Sequence, residues 1–185
     1  MRQMWLYDRM SRWRFLNYRG KIMLMAPAPN LKHQRISGKL HRFIGNYLDG
    51  KRCEVFHAPF DVSLYDRRKS KLADREIFTV VQPDLCVICD PAKLTEQGCS
   101  GAPDWVIEVL SPGNSRKEVR LKYDLYQESG VTEYWLVFPY EQIVQQFVLD
   151  DSGKYQLRAL YPGNETATPH LFPDLQIDLN DVFAE

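Results

Sequence analysis

The sequence predicts a protein of the α/β or α+β class, in which a hairpin-rich sheet is flanked by two helices. Two segments, residues 31–48 and 115–129, repeat apolar side chains with the helical period, and short strand-like runs surround them. The chain has 185 residues, of which 44% are apolar, so it is long enough for one domain with a full core. We therefore interpret residues 1–185 as a single domain.

Both predicted helices carry end signals. Asn30 can cap the helix over residues 31–48, whose inward stripe consists of Ile36, Leu40, Phe43, Ile44, Tyr47 and Leu48. Pro112 leads into the helix over residues 115–129, and Gly130 ends it as a C-terminal cap. A third, short helix is expected within residues 1–20, where basic and aromatic side chains alternate. Such a mixture suits nucleic acid through phosphate attraction and base stacking, or it packs on the protein body.

Strand patterns and turn residues account for most of the remaining chain. A charged loop is expected at residues 66–75, and a turn-rich tail at residues 162–185. The predicted strands cover residues 21–26, 54–64, 77–89, 104–110, 133–137, 143–149 and 155–161.

Composition excludes some classes of protein and leaves others open. No run of eighteen apolar residues exists, and the N-terminus has no apolar secretory core, so we expect a cytoplasmic protein without a membrane span. The zero net charge hides an asymmetry, because residues 1–75 hold 17 Lys and Arg against 6 Asp and Glu. A basic half is typical of a polyanion binder; an equally good interpretation is that the two halves intermix in space and their charges cancel.

The cysteines allow two interpretations. Cys86 and Cys89 have CxxC spacing, and Cys53 and Cys99 could complete a zinc site. However, the CxxC segment reads as a strand, in which residues three apart point to opposite faces. We favour buried thiols over zinc.

Glu108 is the one charged residue in an apolar run over residues 105–110. In a buried strand a lone carboxylate costs several kcal/mol or takes up a proton, so a partner is expected. A second carboxylate, Asp84, follows Pro83 at the head of another apolar run. Lys122 lies on the inward stripe of the second helix. Two carboxylates can hold Mg²⁺ beside a phosphodiester, and a lysine can orient the attacking water or stabilise the transition state.

Each of these residues also has a structural interpretation. Asp84 beside a proline is a common strand-entry residue with a solvated carboxylate. Glu108 could belong to a buried structural ion pair. Lys122 could extend its ammonium to solvent, with Glu118 as an ordinary helical partner.

Several motifs occur together in this sequence: Met25-Ala26-Pro27, His33-Gln34, the run Ala58 to Val62, Pro83-Asp84, the run Gly101 to Pro112, Lys122, and the run Gly130 to Val137. Together they resemble the motifs of the Uma-type putative restriction endonuclease family, within the PD-(D/E)XK nuclease superfamily. The similarity covers about residues 15–160.

The resemblance implies a restriction-endonuclease-like core, which is a central mixed β-sheet flanked by helices. It implies a Mg²⁺-dependent hydrolase that cleaves DNA, with Mn²⁺ as a possible substitute and a homodimer as a possible assembly. Asp84, Glu108 and the backbone carbonyl of Val109 would bind the metal, and Lys122 would complete the catalytic set. His33 and Asp61 are candidates to line the site; the alternatives are a buried, hydrogen-bonded His33, which is slightly favoured, and an Asp61 that meets solvent.

Two departures from the family pattern bear on activity. The superfamily lysine two residues after the acid is replaced by Leu110, and residues 15–19, just before Gly20, contain no acid. These departures favour the alternative of a degenerate nuclease fold that binds nucleic acid or regulates without cutting. A third possibility is a structural protein in which Glu108 and Lys122 form only an ion pair.

Overall fold

The computed structural model describes residues 15–18, 21–24, 30–65 and 77–185, and of residues 15–18, 21–24, 77 and 78 only the backbone. Its helices are α1 Leu31–Leu48, α2 Arg116–Ser129 and α3 Leu179–Phe183. The strands are β1 Phe15–Tyr18, β2 Lys21–Leu24, β3 Glu54–His57, β4 Asp61–Tyr65, β5 Ile77–Val81, β6 Leu85–Ile88, β7 Leu94–Thr95, β8 Gly98–Ser100, β9 Trp105–Val109, β10 Glu133–Phe138, β11 Ile143–Leu149, β12 Tyr155–Pro162, β13 Thr166–Ala167 and β14 Ile177–Asp178.

The central sheet has the strand order β12-β11-β10-β9-β6-β3. Strands β9 and β10 run parallel, and the other neighbours run antiparallel. The central mixed sheet flanked by helices is therefore confirmed. A second sheet has the order β2-β1-β5-β4-β8-β7.

Two apolar cores cover the two faces of the central sheet. On one face, Ile36 and Leu40 of α1 and Val182 of α3 pack against Ile107 and Trp135. On the other face, a second core joins Val106 and Leu136 of the central sheet to Leu125 of α2 and to Val62 and Cys99 of the second sheet. Alternate residues of β9 thus enter different cores, which explains why that strand is apolar on both faces.

Local end signals set the two long helices. The Asn30 side chain accepts a hydrogen bond from the His33 amide, and Ser115 accepts one from the Glu118 amide. Gly130 adopts φ 85°, a left-handed conformation that stops α2. The helix over residues 31–48 is confirmed, and that over residues 115–129 begins one residue late, after its cap.

Several predicted strands and one helix differ from the structure. The predicted strand over residues 54–64 divides into β3 and β4 of different sheets, because Pro59 lacks the amide needed to continue the ladder. Pro83 divides residues 77–89 into β5 and β6 in the same way. Phe15–Tyr18 is a strand paired with β2, not part of a helix. Residues 1–14 and the charged loop at 66–75 lie outside the described residues.

The cysteines follow neither interpretation completely. Cys86 and Cys99 are buried free thiols, as expected, but Cys53 and Cys89 form a disulfide. Burial raises the pKa of the Cys99 thiol to about 11, so this thiol stays protonated at neutral pH. Because Cys89 is bonded to Cys53, it is not free to join Cys86 as a zinc ligand.

None of the described helices is both long enough and apolar enough to cross a membrane.

Candidate active site at the end of strand β9

The pairing of β6 with β9 brings the two predicted carboxylates together. These antiparallel strands align Leu85 with Ile107 and Cys86 with Val106. The same register, continued by one step, sets Asp84 opposite Glu108. Residues directly opposite each other on antiparallel strands have Cβ atoms about 4.5–5.5 Å apart. Both side chains therefore lie at the same end of these two central strands, where β9 ends.

Asp84 is held by the backbone of β9 and by α1. Its Oδ2 atom accepts a hydrogen bond from the Val109 amide at 2.8 Å and lies 3.1 Å from Nε2 of His33. The Asp84 side chain keeps 20% of its exposure. Within the described part of the chain, its Oδ1 atom has no hydrogen-bond donor, so this oxygen remains available for a ligand.

The two ring nitrogens of His33 have different surroundings. The residue is 5% exposed, and its Nδ1 atom is buried without a hydrogen-bond partner in the described structure. Its Nε2 atom lies 3.1 Å from Asp84 Oδ2, and a proton on Nε2 would be donated to that oxygen. The structure thus places His33 beside Asp84, where it can position this carboxylate.

Glu108 is enclosed and fully hydrogen-bonded. It is 3% exposed, its Oε2 atom accepts from Lys122 Nζ at 2.7 Å, and its Oε1 atom accepts from the Tyr126 hydroxyl at 2.7 Å. Lys122 and Tyr126 lie four residues apart on α2, so one helix face supplies both donors.

In this cluster, burial and the charges of neighbouring residues shift the pKa values in opposite directions. Burial raises the pKa of Glu108, Lys122 counteracts that effect, and the nearby charge of Asp84 adds to it. Burial acts to lower the pKa of Lys122, but the Glu108 carboxylate outweighs it and the net pKa is raised. Burial also raises the pKa of Tyr126 well above its ordinary value, so its hydroxyl stays a neutral donor.

Lys122 retains access to the site. Its side chain is 20% exposed, and its ammonium carries three donors, one of which Glu108 uses. The hydrogen bond to Glu108 replaces the expected alternatives of a solvated ammonium or a simple pair with Glu118. Two donors remain for a water molecule or a phosphate oxygen.

The other predicted residues contact groups outside this cluster. Asp61 begins β4 in the second sheet, and its Oδ1 atom accepts from the Gln82 side chain at 2.7 Å. Leu110 packs against the core between the sheets, where a lysine would be costly to bury. The acid-free segment before Gly20 forms β1, whose side chains are not described.

Sequence reasoning did not assign Tyr126 to the site. The available signal was its place on the inward stripe four residues after Lys122, but an aromatic residue there is ordinarily part of the core. Only the hydrogen bond to Glu108 distinguishes it from such a residue.

A polar cleft of about 270 Å³ opens from Asp84 along α1. Its lining includes His33, Gln34, Ser37, Gly38 and His41 of α1. Across from them lies His57, whose ring meets that of His41 edge to face at 5.1 Å. Burial and the neighbouring His57 lower the pKa of His41, so its ring is neutral near pH 7.

The donor set suits a hard divalent cation at an open site. Two carboxylates on facing strands supply oxygen ligands, and Mg²⁺ commonly keeps several waters beside one or two carboxylates. In the described residues, no set of three or more His, Cys, Asp and Glu side chains is arranged to hold a metal ion. The pair fits Mg²⁺ with water and phosphate as further ligands, but not a closed structural metal.

Comparisons with known proteins agree with this architecture. A crystal structure of a putative nuclease belonging to DUF820, from Anabaena variabilis, matches with a TM-score of 0.70 and 21% identity. The match covers 92% of this chain and 89% of that one, and at this identity it shows a shared fold.

A curated Synechocystis protein, "Uncharacterized protein slr1290", is 28% identical over 105 residues. That match covers 57% of this chain and 50% of the relative, so the chain aligns with half of that relative's length. The profile of the Uma2 family, described as putative restriction endonuclease, matches residues 5–180. Because this match spans nearly the whole sequence, the chain belongs to the Uma2 family.

Proposed function

We propose that the protein is a metal-dependent endonuclease of the PD-(D/E)XK type, a hydrolase that cleaves DNA phosphodiester bonds. The observation that carries this proposal is the convergence of Asp84, Glu108 and Lys122 where β9 ends. The family to which the chain belongs supports the same activity.

The chain's residues would divide the work as follows. Asp84, Glu108 and the Val109 carbonyl would hold Mg²⁺, with Mn²⁺ as a substitute. The bound cation would neutralise charge on the scissile phosphate and favour ionisation of the attacking water. Lys122 would orient that water with its free donors or stabilise the added negative charge in the transition state. His33 and the Val109 amide would keep Asp84 Oδ2 fixed and would leave Oδ1 as the oxygen that binds the cation.

The position of Lys122 would also explain why Leu110 can replace the superfamily lysine. A lysine two residues after Glu108 is dispensable when α2 brings another ammonium to 2.7 Å from the same carboxylate. The functional group is thus supplied from a different backbone position.

One observation favours the alternative of a nucleic-acid-binding module that does not cut. Both carboxylate oxygens of Glu108 already accept hydrogen bonds, from Lys122 and Tyr126. A cation would have to share or displace these donors.

Incubation of the purified protein with plasmid and linear DNA, in Mg²⁺ or Mn²⁺, tests the proposal. We expect cleavage by the wild type and its loss in Asp84→Asn and Glu108→Gln. Asp124→Asn serves as the matched control, because Asp124 on α2 pairs with Arg120 outside the cluster. Circular dichroism and thermal unfolding establish that each variant is folded. Wild-type rates in either site variant would refute the assignment, and binding without cleavage would support the alternative.

A further inference from the structure

Helix α1 has an unusual charge composition. Over Leu31–Leu48 it contains four Lys and Arg residues and no Asp or Glu. Lys32 pairs with Glu185 at 3.4 Å, and Lys39 donates to the Ala184 carbonyl. By contrast, Arg35 and Arg42 are exposed, and neither makes an ion pair with any residue that the structure describes. Two guanidinium groups are therefore available to an external anion.

The helical period places these arginines beside the cleft. Successive residues turn by about 100°, so Ser37, His41, Gln34 and Gly38 follow one another around the helix and line the cleft. Arg35 and Arg42 come next in the same direction, so they flank the face of α1 that lines the cleft. They are seven residues apart, which is about 10 Å along the axis. Lys32 and Lys39 lie further round, toward the C-terminal residues that neutralise them.

The cleft leads from the arginine-flanked face of α1 to the candidate active site. Asp84 is part of its lining, and Gly38 adds no side chain to its α1 wall. A Cβ atom added at Gly38 would meet nothing within 4 Å, so the space above this residue is open. The path from the arginines to Asp84 is polar, and among the residues that the structure describes there, Asp84 is the one carboxylate.

We propose that this face of α1 binds the phosphate backbone of the DNA substrate, with Arg35 and Arg42 contacting phosphates next to the one that is cut. The proposal rests on the function proposed above and adds where the substrate lies. About 10 Å along α1 equals about three base-pair steps of 3.4 Å along the DNA axis, so the two guanidinium groups can contact different phosphates. Arginine suits this role because its planar fork matches phosphate oxygens.

Salt-dependent binding provides the first test. Fluorescence anisotropy with a labelled DNA duplex in EDTA measures affinity without cleavage. Each lost phosphate contact reduces the slope of log K against log salt by about 0.9, so Arg35→Gln/Arg42→Gln should reduce it by about two and bind several-fold more weakly. Lys154→Gln/Arg158→Gln removes two exposed cations at the β12 edge, which is opposite to the β3 edge that contacts α1. This control should keep the wild-type slope.

A matched pair at Gly38 provides the second test. Gly38→Glu adds a carboxylate to the path and Gly38→Gln adds a neutral side chain of the same shape. Both residues form helix more readily than glycine, and the space is open, so both variants should fold. We expect Gly38→Glu to bind DNA several-fold more weakly than Gly38→Gln. Equal affinities for the two variants, or a wild-type salt slope in the double arginine variant, would overturn the proposal.

The outcomes separate this inference from the proposed function. Binding that depends on α1 without any cleavage by the wild type would support the inference and refute the nuclease. Cleavage at the wild-type rate by the α1 variants would support the nuclease and refute the inference. A wild type that binds no DNA would overturn the inference.

Discussion

Glu108 and Lys122 form a short ion pair, with Oε2 and Nζ 2.7 Å apart, between a central strand and the helix that packs on it. The carboxylate side chain is 5% exposed and the lysine side chain 20% exposed. The pair therefore joins a buried carboxylate to a partly exposed ammonium, so it can stabilise the fold while Lys122 still reaches solvent.

Replacement of Lys122 by Met should destabilise the protein by about 3 kcal/mol in neutral solution, because it leaves a buried carboxylate with Tyr126 as its remaining donor. Burial already raises the pKa of Glu108, and Lys122 counteracts it, so the variant's pKa should rise further. The unfolded chain loses this proton near the ordinary value and the folded variant only at higher pH. The loss of stability should therefore be small in acid and grow as pH rises.

Urea denaturation over a range of pH measures this effect. Glu108→Gln/Lys122→Met is the control, since it has no buried charge and should recover part of the loss. A destabilisation that is independent of pH would contradict the ionised pair.

Replacement of His33 by Leu should weaken Mn²⁺ binding by about 10–100-fold, the usual effect of losing a residue that orients a metal ligand. His33→Gln keeps a donor at a reach similar to that of Nε2 and should retain most of the affinity. Calorimetric titration measures both variants. Wild-type Mn²⁺ affinity in His33→Leu would show that the 3.1 Å contact with Asp84 does not position the carboxylate.

Replacement of Glu133 by Gln should destabilise the C-terminal segment. Glu133 is fully buried and accepts from the Trp135 and Gln146 side chains and from the His170 and Leu171 amides. An amide group in place of one carboxylate oxygen would face a donor with a donor, which costs about 1–3 kcal/mol. Thermal unfolding should show the loss, and hydrogen exchange should show faster exchange at His170 and Leu171.

The exposed Glu165 provides the control for that substitution. Glu165→Gln should leave both measurements unchanged. Equal stability of Glu133→Gln and the wild type would mean that the carboxylate does not anchor this segment.

The disulfide predicts a count of reactive thiols. Alkylation of the unfolded, unreduced protein should modify two cysteines, Cys86 and Cys99, and all four after reduction. Because Cys53 and Cys89 are 36 residues apart, their replacement by Ser should destabilise the protein by about 4 kcal/mol on the chain-entropy account. Modification of all four thiols without reduction would contradict the bond.

Asp150 should titrate at unusually low pH. Hydrogen bonds from the Ser152 hydroxyl, the Lys154 amide and Gln156 lower the pKa of this carboxyl to about 2. Its contribution to stability is therefore present above the ordinary value of 3.8 and is lost as pH falls through about 2. Carboxyl NMR titration measures the shift, and Ser152→Ala should move the pKa upward. An unchanged pKa in that variant would remove the hydroxyl as its cause.

Local patterns predicted the elements whose signals lie within a few residues. Helix α1 begins after Asn30 because one side chain satisfies the first-turn amide, and α2 ends at Gly130 because glycine readily adopts positive φ. Strand β11 was predicted with its observed bounds, Ile143–Leu149. Errors occurred where alternation continued through a proline, as at Pro59 and Pro83, because periodicity alone does not record a missing amide.

By itself, the sequence determined that Glu108 is a charge within a buried strand and that Lys122 faces inward on a helix. It also predicted the class of fold. Tertiary structure decided which groups meet: the β6–β9 register sets Asp84 opposite Glu108, α2 brings Lys122 and Tyr126 to the same carboxylate, and α1 brings His33 to Asp84. Periodicity and capping depend on neighbours along the chain, whereas register and helix packing depend on contacts between distant segments. No local sequence pattern specifies those contacts, so they were apparent only in the folded chain.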